Sequence, residues 1–200
     1  MKKIRYLPFL EQRLGRTLRL AKPRLSESFI RTNNFFLEIH DALRRALGAA
    51  SKFEVIARGA RRLGFEHCAY GVRFFDSFAR PKTLMINNYP PTWQQRYREQ
   101  DYLAIDPTVA HGVRSRASLV WRREVFEATP LFWSEAREAG LRVGWAQSSF
   151  DPDGSIGMLT LARSREVLSA AELLGRGAQM QWLADAAHFH LSEALWPDQH

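Results

Sequence analysis

Arg142-Val-Gly-Trp-Ala-Gln-Ser-Ser-Phe150, Asp151-Pro-Asp-Gly154 and Ser155-Ile-Gly-Met-Leu-Thr-Leu-Ala162 form one continuous stretch, and its reading decides the fold. The two flanking runs are apolar enough for strands. Between them, proline starts a turn and glycine closes it, so the stretch predicts an antiparallel hairpin. Upstream, the aromatic and apolar run Phe65–Phe75 predicts a strand, Arg80-Pro81 a turn, and Thr83–Asn87 a second strand. Downstream, Ser169 with Glu172 three residues later makes a capping box, opening a long helix to about Leu195.

Helices fill the remainder. Phe36, Ile39, Leu43 and Leu47 keep helical spacing over Phe35–Leu47, and Gly48 supplies a stop. Ser51 and Glu54 predict a capping box for a second helix through Val55, Ile56 and Leu63 to Gly64. Pro90-Pro91 suits a helix start over Thr92–Gln100, Asp106-Pro107 opens a helical turn, and Pro130–Gly140 reads as a helix with Phe132, Trp133 and Ala136 inward. Strands grouped between helical pairs predict an α/β fold, an α-β-α sandwich with a curved antiparallel sheet and helices on both faces.

Composition narrows the class of function. Hydrophobic residues at 46% and charged residues at 25% of a 200-residue chain describe a soluble globular protein. No apolar run is long enough to cross a bilayer, which predicts no membrane role. Pro8, Glu11, Gln12 and Arg13 interrupt any signal sequence, and Cys68 is the only cysteine, so the expected setting is the reducing cytoplasm. Of the net charge of +8, residues 1–24 carry +7, with Glu11 as their only acid. Residues 1–34 therefore read as a basic N-terminal extension, ending in the polar stretch Ser26–Asn34, and residues 35–196 as the folded domain. The basic stretch leaves a nucleic-acid-binding module open as an alternative, although a solvated extension explains it equally well.

Enzyme signatures do not emerge. The six histidines form neither HExxH nor HxHxDH, there is no GxSxG elbow and no P-loop. A lactone-degrading enzyme is thereby disfavoured. His188 and His190, two apart on a helix, point to different faces and read as partly exposed. Gly175-Arg-Gly177 marks a close helix contact or a weak point in the last helix.

One region is dense in residues that are costly to bury without purpose: Tyr89-Pro-Pro-Thr-Trp93-Gln-Gln-Arg-Tyr97, then Asp106-Pro107, then Trp121. Trp93 and Tyr97 share a helix face. Tyr89 precedes that helix and Asp106 follows it, so both can converge on one end of a cavity. A buried indole, phenol and carboxylate each need a partner, and a small ligand with an amide N–H and two carbonyls would supply them.

The order Trp93, Tyr97, Asp106-Pro107, Trp121 and then Gly144 ahead of a strand resembles the autoinducer-binding domain of LuxR-type quorum-sensing regulators. Arg62-Leu-Gly-Phe65, Tyr70-Gly-Val-Arg73 and Gly144-Trp-Ala-Gln-Ser-Ser149 are similar to its RhlR and TofR-like branch, and the likeness runs from about Ser51 to Leu195. The resemblance implies a pocket between the sheet and one helical layer that binds an N-acyl-homoserine lactone, with no cofactor, no metal and no catalytic residue. In that family's arrangement Trp93 donates to the lactone carbonyl, Asp106 accepts the amide N–H, and Tyr89 donates to the amide carbonyl with help from Thr160. Tyr97, Trp121, Phe132 and Trp133 wall the ring, while Leu141, Ile156 and Met158 contact the acyl tail. The resemblance also implies a homodimer, or a heterodimer with a full-length LuxR-type regulator, through the helix carrying Leu173, Leu174, Met180, Trp182, Leu183 and Ala187. No helix-turn-helix follows in these 200 residues, so the expectation is no sequence-specific DNA binding by this chain alone.

Overall fold

A computed structural model describes residues 27–74 and 82–195, with side chains from residue 34 onward. The basic stretch 1–24, the Arg80-Pro81 turn and the segment after Leu195 lie outside the described residues. Helices α1 (Glu27–Arg45) and α2 (Gly48–Arg62) lead into strands β1 (His67–Phe74) and β2 (Lys82–Asn87). Three short helices follow: α3 (Pro91–Glu99), α4 (Pro107–Gly112) and, after the two-residue β3 (Leu119–Val120), α5 (Pro130–Glu138). Strands β4 (Val143–Phe150) and β5 (Ile156–Arg163) then precede the long α6 (Ala170–Leu195).

The strands form one sheet in the order β2-β1-β5-β4-β3, antiparallel throughout. The expected hairpin is its centre. β4 and β5 pair from Phe150 opposite Ile156 to Val143 opposite Arg163. In the turn, Asp151 N–H donates to Ser155 O at 2.9 Å and Gly154 adopts φ +89°, the left-handed region that glycine enters without strain.

Because side chains alternate across a sheet, its two faces are built from different sets. On one face Tyr70, Val72, Trp145, Leu159 and Leu161 pack against Phe35, Ile39 and Leu43 of α1, Phe53 and Ile56 of α2, and Met180, Leu183 and Leu191 of α6. A Cβ on Gly59 would lie 2.9 Å from Leu183 Cδ1, so that glycine lets α2 and α6 approach closely. The other face carries a second, aromatic cluster with α3, α5 and the turn between α3 and α4, as developed below.

Several local expectations change. α1 starts at Glu27, inside the stretch read as extension; nothing between there and Arg45 is proline or glycine, and no residue interrupts the helix. Ser51 lies one turn inside α2 and caps nothing. Gly48, at φ +73°, makes the corner between α1 and α2, and Leu47 at the N-cap has no side-chain cap bond. Ser169 Oγ does accept from Glu172 N–H at 3.1 Å, but the Glu172 carboxylate turns to the buried Arg163, which it holds through two bonds of 2.8 and 2.9 Å. An ion pair that satisfies a buried guanidinium outcompetes the reciprocal cap. His188 is buried, not partly exposed: its Nδ1 lies 2.7 Å from the Tyr70 hydroxyl and its Nε2 3.0 Å from Asp151 Oδ2, tying α6 to the sheet and the hairpin. Gly175 and Gly177 face open space, which excludes a close contact there. On α6, Met180, Leu183 and Ala187 are spent on the core and Leu173 and Trp182 pack against it, leaving Leu174 and Phe189 as the exposed large apolar residues.

Candidate functional site

The second face of the sheet lines a partly open cavity of about 320 Å³. Its floor follows from the strand register. Asn87, Ala69 and Thr160 form one rung, Met85, Gly71, Met158 and Ser148 the next, and Thr83, Arg73 and Ile156 the third. Ala69 and Gly71 keep the middle of the floor low: a Cβ at Gly71 would meet nothing closer than 3.8 Å. The first rung carries the Thr160 hydroxyl and the second is apolar apart from Ser148.

The end of the cavity beyond Thr160 is aromatic. Trp93 on α3 lies with its ring centroid 5.9 Å from Tyr97, 5.8 Å from Tyr102 and 5.7 Å from Phe132, while Trp133 stacks on Phe126 at 4.3 Å. Trp121 meets Trp133 edge-on at 6.2 Å. It reaches that position because β4 has glycine beneath it: a Cβ on Gly144 would lie 2.2 Å from the Trp121 ring. Gly144 itself is the second residue of β4 rather than a residue ahead of it. The helices are clamped by Glu135 of α5, which takes a bidentate pair from Arg96 of α3 and a 2.6 Å bond from the Tyr102 hydroxyl. Those donors hold the Glu135 carboxyl down at about 2.

Asp106 is the one buried carboxylate in the wall. As N-cap of α4 it accepts from Thr108 N–H at 2.8 Å and from the Thr108 hydroxyl at 2.7 Å, both on Oδ1, and from the Tyr97 hydroxyl at 3.0 Å on Oδ2. Each carboxylate oxygen has two lone pairs, so Oδ2 has room for a further donor. Burial pushes the Asp106 carboxyl above its ordinary range, against the opposing pull of the Thr108 and Tyr97 bonds. Burial likewise raises the Tyr97 and Tyr89 phenols, and the Asp106 charge adds to both. All three groups therefore share one polar end of the cavity.

Each of the eleven residues singled out in the sequence lines this one cavity. Two sit differently from expectation. Tyr97 is a wall and also orients Asp106. Leu141 packs into the aromatic cluster with Trp93 and Phe132, away from the rungs of Met158 and Ile156. Thr108, Gly71, Met85 and Ser148 line the cavity and were not foreseen. An Asp-Pro-Thr at a helix start signals Thr108, because a short side chain at N2 can reach back to the cap. The others are apolar or small strand residues with no such signal.

A partly open cavity, with small and apolar residues along the middle of its floor and a hydrogen-bonding aromatic end, defines a domain that receives a small amphipathic molecule. The profile of the family described as autoinducer binding domain matches residues 48–191. The transcriptional activator AnoR of Acinetobacter nosocomialis is 48% identical over 145 residues, covering 72% of this chain and 61% of AnoR. SolR of Ralstonia solanacearum is 39% identical over 162 residues, 81% of this chain and 69% of that protein. In structure the chain is similar to the N-acylhomoserine lactone dependent LuxR family transcription factor CepR2 of Burkholderia cenocepacia, with a TM-score of 0.75 and 34% identity over 82% of this chain and 96% of that one. The chain belongs to the autoinducer-binding domain family of LuxR-type quorum-sensing regulators. It spans 61% of the length of AnoR.

Proposed function

We propose that the chain encloses an N-acyl-homoserine lactone in this cavity and holds it as a signal, without turning it over. The observation that carries the reading is Asp106: a buried carboxylate, oriented by Thr108 and Tyr97, at the aromatic end of a cavity whose mid-floor is small and apolar. An acyl-homoserine lactone has an amide N–H for Asp106 between a compact ring and an apolar chain. In this reading Trp93 donates to the lactone carbonyl, and Tyr89 and Thr160 to the amide carbonyl. Tyr97, Trp121, Phe132, Trp133 and Leu141 enclose the ring, and Met158 and Ile156 carry the tail. CepR2, described as N-acylhomoserine lactone dependent, supports the ligand class. Binding without turnover is supported by the setting of Asp106, which is oriented by the Thr108 and Tyr97 hydroxyls and keeps room on Oδ2 for the ligand amide N–H.

As part of a LuxR-type regulator, the domain acts in the cytoplasm, and no helix among the described residues is long and apolar enough to cross a membrane. It pairs with a second copy or a full-length relative, with Leu174 and Phe189 of α6 the exposed apolar residues available for that contact.

The test is a panel of acyl-homoserine lactones differing in chain length, added during expression and again during thermal unfolding. A matching lactone at a hundredfold excess over its Kd stabilises by about 2.7 kcal/mol. At roughly 2–4 °C per kcal/mol for a domain of this size, the midpoint rises by ~5–10 °C. An unfolding midpoint indifferent to every lactone, at concentrations that saturate CepR2, overturns the proposal.

A further inference from the structure

Trp93 raises a question of orientation. An indole N–H kept for a ligand cannot also anchor its own ring, so the angle at which Trp93 meets the cavity is set by what packs against it. Three rings do so: Tyr97 at 5.9 Å, Tyr102 at 5.8 Å and Phe132 at 5.7 Å between centroids. Phe132 has no polar atom to fix it, and Tyr97 spends its hydroxyl on Asp106. Tyr102 differs from both. It is 3% exposed and stands behind the residues that line the cavity. Its ring reaches the whole group, lying 6.0 Å from Tyr97 and 5.0 Å from Phe132 as well as beside Trp93.

The backbone delivers Tyr102 to this place. After α3 ends at Glu99, Asp101 takes φ 49°, the left-handed region that residues other than glycine enter at a cost. The chain turns there, and the Tyr102 carbonyl accepts from Asp106 N–H at 2.8 Å, which fixes the turn to the start of α4. The side chain is held at its far end by Glu135 of α5. Its hydroxyl donates to that carboxylate at 2.6 Å, the length of a charge-assisted bond. Glu135 is itself fixed from α3, by Arg96 Nε at 2.8 Å and by Arg96 Nη2. Tyr102 is thus tied at both ends, with the indole bearing on its ring between them.

We infer that Tyr102 is a positioning residue of the head-group site: through its hydroxyl bond to Glu135 it fixes the Trp93 indole at the angle from which the N–H reaches the lactone carbonyl. The inference rests on the ligand class and the Trp93 contact proposed above. A hydrogen bond weakens steeply as its angle departs from linear, so an indole free to tilt loses the bond without leaving the wall. Releasing the Tyr102 hydroxyl therefore lowers the preference for a ring that carries a carbonyl. The amide contacts and the burial of the acyl chain stay in place.

The full chain, its Tyr102→Phe variant and its Glu135→Ala variant are each titrated with two compounds. One is the best-binding lactone of the panel; the other is the N-cyclopentyl amide of the same fatty acid, which keeps the amide and the five-membered ring but has no lactone carbonyl. The readout is the ratio of the two dissociation constants, because a general loosening of the fold weakens both compounds alike and leaves the ratio unmoved. The wild-type chain should prefer the lactone on the order of two- to tenfold, the worth of one neutral hydrogen bond. Y102F keeps the ring and loses only the tie, and its ratio should fall toward one. E135A frees the same hydroxyl from the other side and should move the ratio the same way. The inference stands only if both ratios fall. An unaltered ratio in either variant, or a variant that does not fold even with lactone present, overturns the positioning role and leaves the lactone reading standing. A wild-type chain that binds the two compounds equally overturns the Trp93 contact and this inference with it. Binding of neither compound overturns the lactone reading itself.

Discussion

Asp106→Asn separates the binding role of this residue from its structural one, because the two effects have opposite signs. In the folded chain the carboxylate accepts three hydrogen bonds, two from Thr108 on Oδ1 and one from Tyr97 on Oδ2. An asparagine oriented with its oxygen toward Thr108 keeps the first two, and asparagine is as good an N-cap as aspartate. The Tyr97 hydroxyl can turn to accept from the new amide rather than donate. Burial disfavours the charge at this position, as the raised Asp106 carboxyl shows, so removing it relieves part of the desolvation cost. The ligand-free variant should therefore unfold at the wild-type midpoint or slightly above it. Lactone binding should move the other way. The amide group that replaces Oδ2 presents N–H to the ligand N–H, and a charge-assisted hydrogen bond worth about 1.5–3 kcal/mol is lost. That corresponds to a Kd weakened by roughly 10- to 150-fold. The assay is paired: thermal unfolding without ligand, and titration with the best lactone followed by the shift in midpoint. Wild-type affinity in the variant would mean that the ligand does not use Asp106. A parallel fall in ligand-free stability and affinity would mean that Asp106 acts through the fold alone.

Affinity for the lactone should rise as pH rises through the acidic range above the ordinary carboxylate value, where the lactone ring survives the measurement. Asp106 has a raised carboxyl in the free fold, and the amide N–H favours its ionised form, so binding releases a proton and strengthens as pH passes through the raised value; a pH-independent Kd, or one that weakens as pH rises, would contradict this. Gly144→Ala places a methyl 2.2–2.5 Å from the Trp121 ring and must push that wall aside. Overpacking of this kind costs about 1–3 kcal/mol, and calorimetry or chemical denaturation should show that loss together with weakened lactone binding, whereas Gly71→Ala, with no atom nearer than 3.8 Å, should leave stability nearly unchanged.

The hairpin, the order of strands and helices and the polar end of the cavity were legible in the sequence because each depends on local chemistry. Asp-Pro-Asp-Gly makes its turn whatever surrounds it, and Trp93 with Tyr97 share a face by helix geometry alone. What was not legible depends on where distant residues fall. Ser51 and Glu54 satisfy the capping pattern, yet the left-handed Gly48 starts the helix a turn earlier. Glu172 satisfies the same pattern, and a buried arginine nine residues upstream claims it. His188 read as an exposed helix residue because its partners, Tyr70 and Asp151, are 118 and 37 positions away. Leu141 and Met158 look alike as apolar residues near strands; only the register shows that one joins the aromatic cluster and the other the floor. Ser148 gives no sign in the sequence of its place in the cavity wall, since only the register sets it beside Met158.

The two faces of the sheet are unequal, and this bears on how a ligand would act. One face is sealed by helices of 19, 15 and 26 residues around a continuous core. The other is covered by helices of nine, six and nine residues. Segments so short do not hold helical structure in isolation and depend on what they pack against. Here they pack around a 320 Å³ cavity, held by the aromatic cluster, the Arg96–Glu135 clamp and the bonds to Asp106. An occupant that displaces solvent from this cavity adds its apolar contacts to a domain whose whole stability is about 5–15 kcal/mol. An occupant that fills the floor and bonds Asp106 therefore completes this layer rather than decorating it. On the reading proposed above, the signal molecule and the short-helix layer would fold as one cooperative unit, and the amount of folded domain would report the molecule.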